Sequence, residues 1–437
     1  MTNQQPVEEL KRFYKSLGGK GELPLEPGDP YYVPIFEDKP LEKKLLKDPI
    51  ERLRNSINLS ESQSVNLMTG FRGNGKSTQL RRLKSLLEQD GCHVIIVDMT
   101  EFVLMTKPLE ISDFILSLMA AVMEEAKKQQ FTDIVKEYWQ RLNNFLTADV
   151  KLDDIKLDNL ALQLKTEPTF KQKIQDALKG HVTELVNDAR NYIVELVTAI
   201  RKQNNDENKK VVLLVDSVEQ IRGVGTDAEE VHNSIVNLFS GHSHNLRFGM
   251  LHIVYTVPPY LHPLTPNLAR SYSSKETSWP NIHVRHANGD CDENGLAIMR
   301  EIITKRYEKW GDFFTKPQLN RLAASSGGDV RDFFRLIRES LLSCINAPED
   351  NYKISDAMLD FAEAELRREM LPIAKDDGRW LAQIHSEKDS ALETVTELPR
   401  LARFLDSNLI MNYLNGESWY DIHPLLVDEI SAYSKND

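Results

Sequence analysis

Residues 65–80 read VNLMTGFRGNGKSTQL. An apolar run, Val65–Met68, meets a glycine-rich turn, and the residues from Ser77 onward predict a helix. Gly70, Gly75, Lys76 and Ser77 stand at the spacing G-x-x-x-x-G-K-[ST], the P-loop pattern. Glycine at such positions lets the backbone curl with its N–H groups pointing inward, where a Cβ would crowd an anion. The helix that follows aims its positive end at the same point. The stretch therefore predicts a cradle for nucleotide phosphates built from Gly70, Arg72, Gly73, Asn74, Gly75, Lys76, Ser77 and Thr78. Lys76 is placed to reach the β- and γ-phosphates, and the Ser77 hydroxyl to take Mg²⁺. ATP and Mg²⁺ are the expected cofactors.

Working outward, the P-loop helix leads to a second apolar run, Val94–Val97, which ends in Asp98. Val211–Val215 (VVLLV) is a third and ends in Asp216; Leu251–Val257 is a fourth and is stopped by Pro258-Pro259. A further short strand is expected at Ile282–Val284. Buried strands separated by helical segments predict an α/β fold with a parallel sheet, whose carboxyl edge gathers the polar residues at the strand ends. Asp216 fits the Walker B position, a second group for Mg²⁺. Many P-loop ATPases place a glutamate directly after that aspartate, where this chain has Ser217. Glu219, within DSVEQ, is the candidate to orient an attacking water, and Thr256 the candidate sensor of the γ-phosphate. Asp98 is expected to cap.

Residues 1–45 form an N-terminal arm: a short helix, Val7–Leu17, then a Gly/Pro-rich stretch that reads as extended. Tyr32 and Val33 on it are candidate contacts to a base. Residues 46–290 are assigned to the core, interrupted by an insertion at 105–205. Within it, residues 150–164 alternate apolar and charged and predict short strands in a hairpin. Residues 291–375 read as a helical lid. There Ser326–Phe334 (SGGDVRDFF) opens a helix with Asp329 as its N-cap, and Arg331 is positioned to reach a nucleotide. Arg335 and Arg338 share that helix. Residues 376–437 give two helices followed by apolar runs around Asn415-Gly416, a hairpin signal; that is the order of a winged helix.

The formal net charge of -12 argues against a general nucleic-acid binder. In the winged-helix block Arg379, Lys388, Arg400 and Arg403 are outnumbered by carboxylates, so DNA is disfavoured as its partner. No apolar run reaches the roughly 18 residues needed to span a bilayer, and the N-terminus is polar, so a cytoplasmic protein is expected. Cys92, Cys291 and Cys344 show no metal-binding or redox spacing.

Taken together, Gly70–Thr78, Val211–Gln220, the strand bearing Thr256, Ser326–Phe334 and Asn415–Leu426 resemble the AAA+/STAND branch of P-loop ATPases, near the origin-recognition group. They also resemble bacterial ATP-binding proteins of multi-gene systems, phage defence among them. The resemblance implies a P-loop NTPase αβα core with a parallel sheet, a helical lid and a C-terminal winged-helix domain. It further implies an ATP-hydrolysing switch or assembly subunit, forming a homo-oligomer and controlling a separately encoded effector. Two other readings stand beside it: a DNA-loading helper ATPase, and a structural nucleotide-binding subunit that never turns over.

Overall fold

The computed structural model describes residues 4–18, 23–36, 48–150, 157–223, 227–272, 276–347, 352–414 and 418–433. They divide into two compact units. One comprises Met1–Asp48, Gly70–Thr78 and Trp279–Asp437; the other Pro49–Thr69 and Gln79–Ser278.

The second unit is built on a sheet of β1 (Ser64–Gly70), β2 (His93–Asp98), β3 (Val211–Asp216), β4 (Leu251–Val257) and β5 (Thr277–Trp279). The strand order is β2-β3-β4-β1-β5. β1 pairs with β4, β4 with β3 and β3 with β2, all in parallel. Every residue of β3 and β4 is buried, as largely apolar runs allow when both faces of a parallel sheet are covered. The register sets Thr69 opposite Val257, Val215 opposite Tyr255 and Asp98 opposite Asp216. Those strand ends lie side by side at the carboxyl edge.

The regular elements among the described residues of 105–205 are all helices: Ile111–Lys128, Thr132–Val150, Leu157–Thr166, Pro168–Leu178 and Val182–Gln203. The expected hairpin at 150–164 is therefore overturned, with residues 151–156 lying outside the described set. Leu160 and Leu164 are buried at helical spacing, while Leu162, which a strand would have put on the same face, is 59% exposed. Tyr138 and Tyr192 stack at 4.2 Å and join two of these helices.

A second correction concerns Ile282–Val284. Ile282 and Val284 are buried, but the segment lies outside the sheet; the edge strand is Thr277–Trp279 instead. The backbone around Ile282 is used elsewhere, since Ile282 N–H donates to Gly328 O (3.2 Å) and Asp292 N–H to Val284 O (2.9 Å).

In the first unit, helices Glu293–Arg306, Lys316–Ser325, Val330–Asn346 and Asp356–Arg368 enclose one apolar core. The N-terminal helix, Gln4–Ser16, contributes Leu10 and Phe13 to it, and Leu17 follows. Phe13 stacks on Tyr307 at 4.5 Å, and the Tyr307 hydroxyl donates to Glu9 (2.7 Å). The C-terminal block consists of helices Lys375–Glu387 and Leu398–Asp406, then the antiparallel strands β6 (Ile410–Leu414) and β7 (Ser418–Ile422), with Asn412 opposite Tyr420. The expected Asn415-Gly416 turn lies outside the described residues.

Candidate functional site

The loop that leaves β1 has the curvature its glycines allow. Gly73 and Gly75 adopt φ of +92° and +89°, conformations in which an L side chain is strained. Lys76 is buried, and its ammonium donates to Gly70 O (2.8 Å) and Phe71 O (2.6 Å). The charge is thus held at the mouth of the loop by carbonyls that a phosphate oxygen could replace. Ser77 is half-buried on the first turn of the helix Lys76–Gln89. Thr78 Oγ1 accepts from Leu25 N–H (3.0 Å), which ties the N-terminal arm to the loop. Arg72 is exposed.

Trp279 is the residue that sequence reasoning missed. Asn74 Nδ2 donates to Trp279 O (2.6 Å), and Trp279 Nε1 donates back to Asn74 O (2.9 Å). A Cβ on Gly70 would lie 2.5 Å from the same Trp279 carbonyl. The only signal in the chain was a lone Trp-Pro pair after a polar stretch, which carries no P-loop pattern.

Arg331 lies against the loop: a Cβ on Gly73 would meet its Cβ at 3.1 Å and its Nε at 3.2 Å. The neighbouring arginines are used otherwise. Arg335 pairs with Asp332 and Glu369, and Arg338 covers the Tyr14 ring at 4.6 Å. Asp329 caps the helix Val330–Asn346, accepting from Asp332 N–H (2.9 Å). Burial, with the Asp332 charge beside it, pushes the Asp329 carboxyl above the usual carboxylate range. Of residues 32 and 33, Val33 is buried in the apolar core of the first unit, where its side chain packs, and Tyr32 is half-buried with its N–H on Asp29 O.

The exit from β3 is built differently. Asp216 is buried and accepts from Ser217 N–H (2.7 Å). Ser217 then takes a left-handed conformation (φ 68°, ψ 9°), uncommon for a residue with a side chain. Thr256 holds that turn: its hydroxyl donates to Val215 O (3.3 Å) and accepts from Val218 N–H (3.1 Å). The hydroxyl proton of the expected sensor is thereby committed to positioning Asp216–Glu219. Glu219 is buried in the short 3₁₀ turn Val218–Gln220. Asp98 caps its own turn, accepting from Thr100 N–H and Oγ1–H.

Residues 48–224 match the model of the KAP family P-loop domain. No curated protein matches the chain by sequence. Among solved structures, the chain is similar to the Aeropyrum pernix ORC2 protein in its ADPNP–ADP complexes, with 11% identity over 92% of this chain and 96% of that one and a TM-score of 0.41. It is also similar to Drosophila ORC bound to DNA, with 11% identity over 98% and 92% of the two chains and a TM-score of 0.36. Likeness at this level transfers no ligand and no partner. The glycine-curled loop closing β1, the parallel sheet that carries it and the matched domain model agree on one conclusion: the chain has the fold of a P-loop NTPase.

Proposed function

We propose that the protein is an ATP-binding and ATP-hydrolysing switch or assembly subunit, homo-oligomeric and coupled to a separately encoded effector protein, with antiviral defence in bacteria as one setting. The observation that carries the switch reading is Arg331 on Gly73, because it puts a lid side chain on the phosphate loop itself. The residues present fit a nucleotide. The cradle has glycines where a Cβ would be strained or obstructed, and buried Asn74 Oδ1 has no hydrogen-bond partner among the described residues.

In this reading the loop amides and Lys76 bind the triphosphate, and Arg331 senses the γ-phosphate end. Ser77 and Asp216 are the groups offered to Mg²⁺, which when bound would neutralise charge on the phosphates. Glu219 orients water, and Thr256 keeps the turn bearing both carboxylates in shape. Among the described residues no helix is long and apolar enough to cross a membrane. DNA contact by the C-terminal block is disfavoured by more than net charge. Arg400 and Arg403 both bond to Asp377 (2.6 Å each), so the arginines of the would-be recognition helix share one carboxylate and are partly neutralised by it.

The test is nucleotide binding and turnover by the purified chain. Lys76→Ala should weaken ATP binding by at least about tenfold, the scale of a lost hydrogen bond to a charged group. Glu219→Gln should keep binding and lower turnover by about 10²-fold or more. Unchanged turnover in Glu219→Gln would remove that residue from the mechanism, and unchanged binding in Lys76→Ala would remove the loop. ATP-strengthened, salt-sensitive DNA binding would favour the loader reading instead.

A further inference from the structure

Apart from the loop and the β3 exit, the segment joining Trp279 to the lid brings together a donor set of its own. His283, His286 and Asp292 each place one donor atom within 4.8 Å of the other two. Their backbone is pinned on both limbs of a small turn. Asp292 N–H donates to Val284 O (2.9 Å), Arg285 bridges Cys291, and His286 N–H donates to Asp290 O (2.8 Å). Gly289, at φ +91°, closes the turn by donating to His286 O (2.9 Å). The Asp292 carboxylate is oriented as well: Oδ1 accepts from Asn294 and Gly295 N–H, and Oδ2 meets His283 Nδ1 at 2.8 Å.

We propose that His283, His286 and Asp292 form a binding site for a divalent transition-metal ion of the zinc class. An Asp–His ion pair accounts for two of these side chains but not for the third. Two imidazoles with one carboxylate are a borderline donor set, suited to Zn²⁺, Co²⁺ or Ni²⁺ and poorly suited to Mg²⁺ or Ca²⁺. Zinc–nitrogen bonds of about 2.0–2.1 Å put neighbouring ligand atoms of a tetrahedral site about 3.3 Å apart. Rotation of the exposed His286 ring can close the remaining gap. The backbone N–H groups on Asp292 Oδ1 are the kind of supporting hydrogen bonds that fix a ligand carboxylate. Three protein ligands leave a fourth position for water or for a group on another molecule. The His283 ring also packs edge-on against Tyr413 and Trp419, at 6.0 and 6.1 Å, so the site borders the β6–β7 ribbon.

The full chain, stripped with a chelator and kept free of nucleotide, is titrated with Co²⁺. The expected result is one saturable equivalent with visible d–d absorption, partial quenching of tryptophan fluorescence through Trp419, and no displacement by excess Mg²⁺. His286→Ala, exposed and so harmless to folding, should weaken binding by at least about tenfold with an unchanged far-UV circular dichroism spectrum. His283→Gln should do the same. Absence of a saturable signal, equal affinity in His286→Ala, or displacement by Mg²⁺ would each overturn the proposal.

Discussion

The turns that follow β1 and β3 carry the two signature elements of the fold, and they hold their shapes by opposite means. After β1 the left-handed positions are Gly73 and Gly75, residues that accept such φ values freely, and the loop is fixed from outside by Trp279 and Arg331. After β3 the left-handed position is Ser217, which is strained, and the turn is fixed from within the sheet by the neighbouring strand's Thr256. The first turn owes its conformation to composition and its position to distant chain. The second owes its conformation to hydrogen bonds that resist relaxation. Reading one sequence motif therefore recovers the shape of the first loop but not its anchors, whereas the motif at β3 does not even announce the strained turn.

The largest effect expected from this contrast is at Gly70. An added methyl would sit 2.5 Å from a backbone oxygen, so Gly70→Ala should cost about 3 kcal/mol in urea unfolding, through overpacking and loss of the Asn74–Trp279 pair. A cost below about 0.5 kcal/mol, the ordinary scatter of surface substitutions, would show that the loop does not depend on Trp279. On the other side of the comparison, Thr256→Val keeps the shape of the side chain but strands Val218 N–H in the interior. About 2 kcal/mol should be lost, together with turnover, while nucleotide affinity holds. Equal loss of affinity would mean that the two turns are not separable.

Acid probes the sheet away from both turns. His252, beside Ser64 in the β4–β1 register, has its pKa driven from 6.5 down to about 4, chiefly by burial, with Lys210 and Arg201 adding to the effect. The unfolded chain takes up the proton first, so this contribution is intact above about pH 6.5 and is lost as pH falls toward 4. The loss should be about 2 kcal/mol by pH 5 and should flatten in His252→Gln. The Asn74–Trp279 pair is uncharged and should not share that slope. The smallest effect is a gain. Ser217→Gly relieves the left-handed strain but frees the unfolded chain, leaving a net stabilisation of roughly 0.5 kcal/mol. Destabilisation instead would show that the serine side chain, not its backbone, is what the turn uses.

What the sequence made legible follows from how local each cause is. Val94–Val97, Val211–Val215 and Leu251–Val257 declare themselves because strands covered on both faces are predominantly apolar. The Asp329 cap and the placement of Arg331 just behind it are equally local. At 157–164 the reading failed because leucines at 160, 162 and 164 satisfy a period of two, and only burial separates the pair facing the core from exposed Leu162. Ile282–Val284 misled for a related reason. It is as apolar as a strand, but its pairing partners, Gly328 and Asp292, are loop residues that no pattern connects to it. Trp279 and the Thr78–Leu25 bond depend on chain more than fifty residues away, where spacing is silent.

Tyr413 gives the C-terminal ribbon a mechanical meaning. Its buried hydroxyl donates to Gly327 O (2.9 Å), and a Cβ on Gly327 would press on Tyr413 and Met411. Gly328, next in the chain, lies so close to Ile282 O that a Cβ there would sit 1.8 Å away. A turn gripped on both sides has no slack. The β6 strand is thereby bonded to the turn that opens the helix carrying Arg331, the side chain that lies on Gly73 of the phosphate loop.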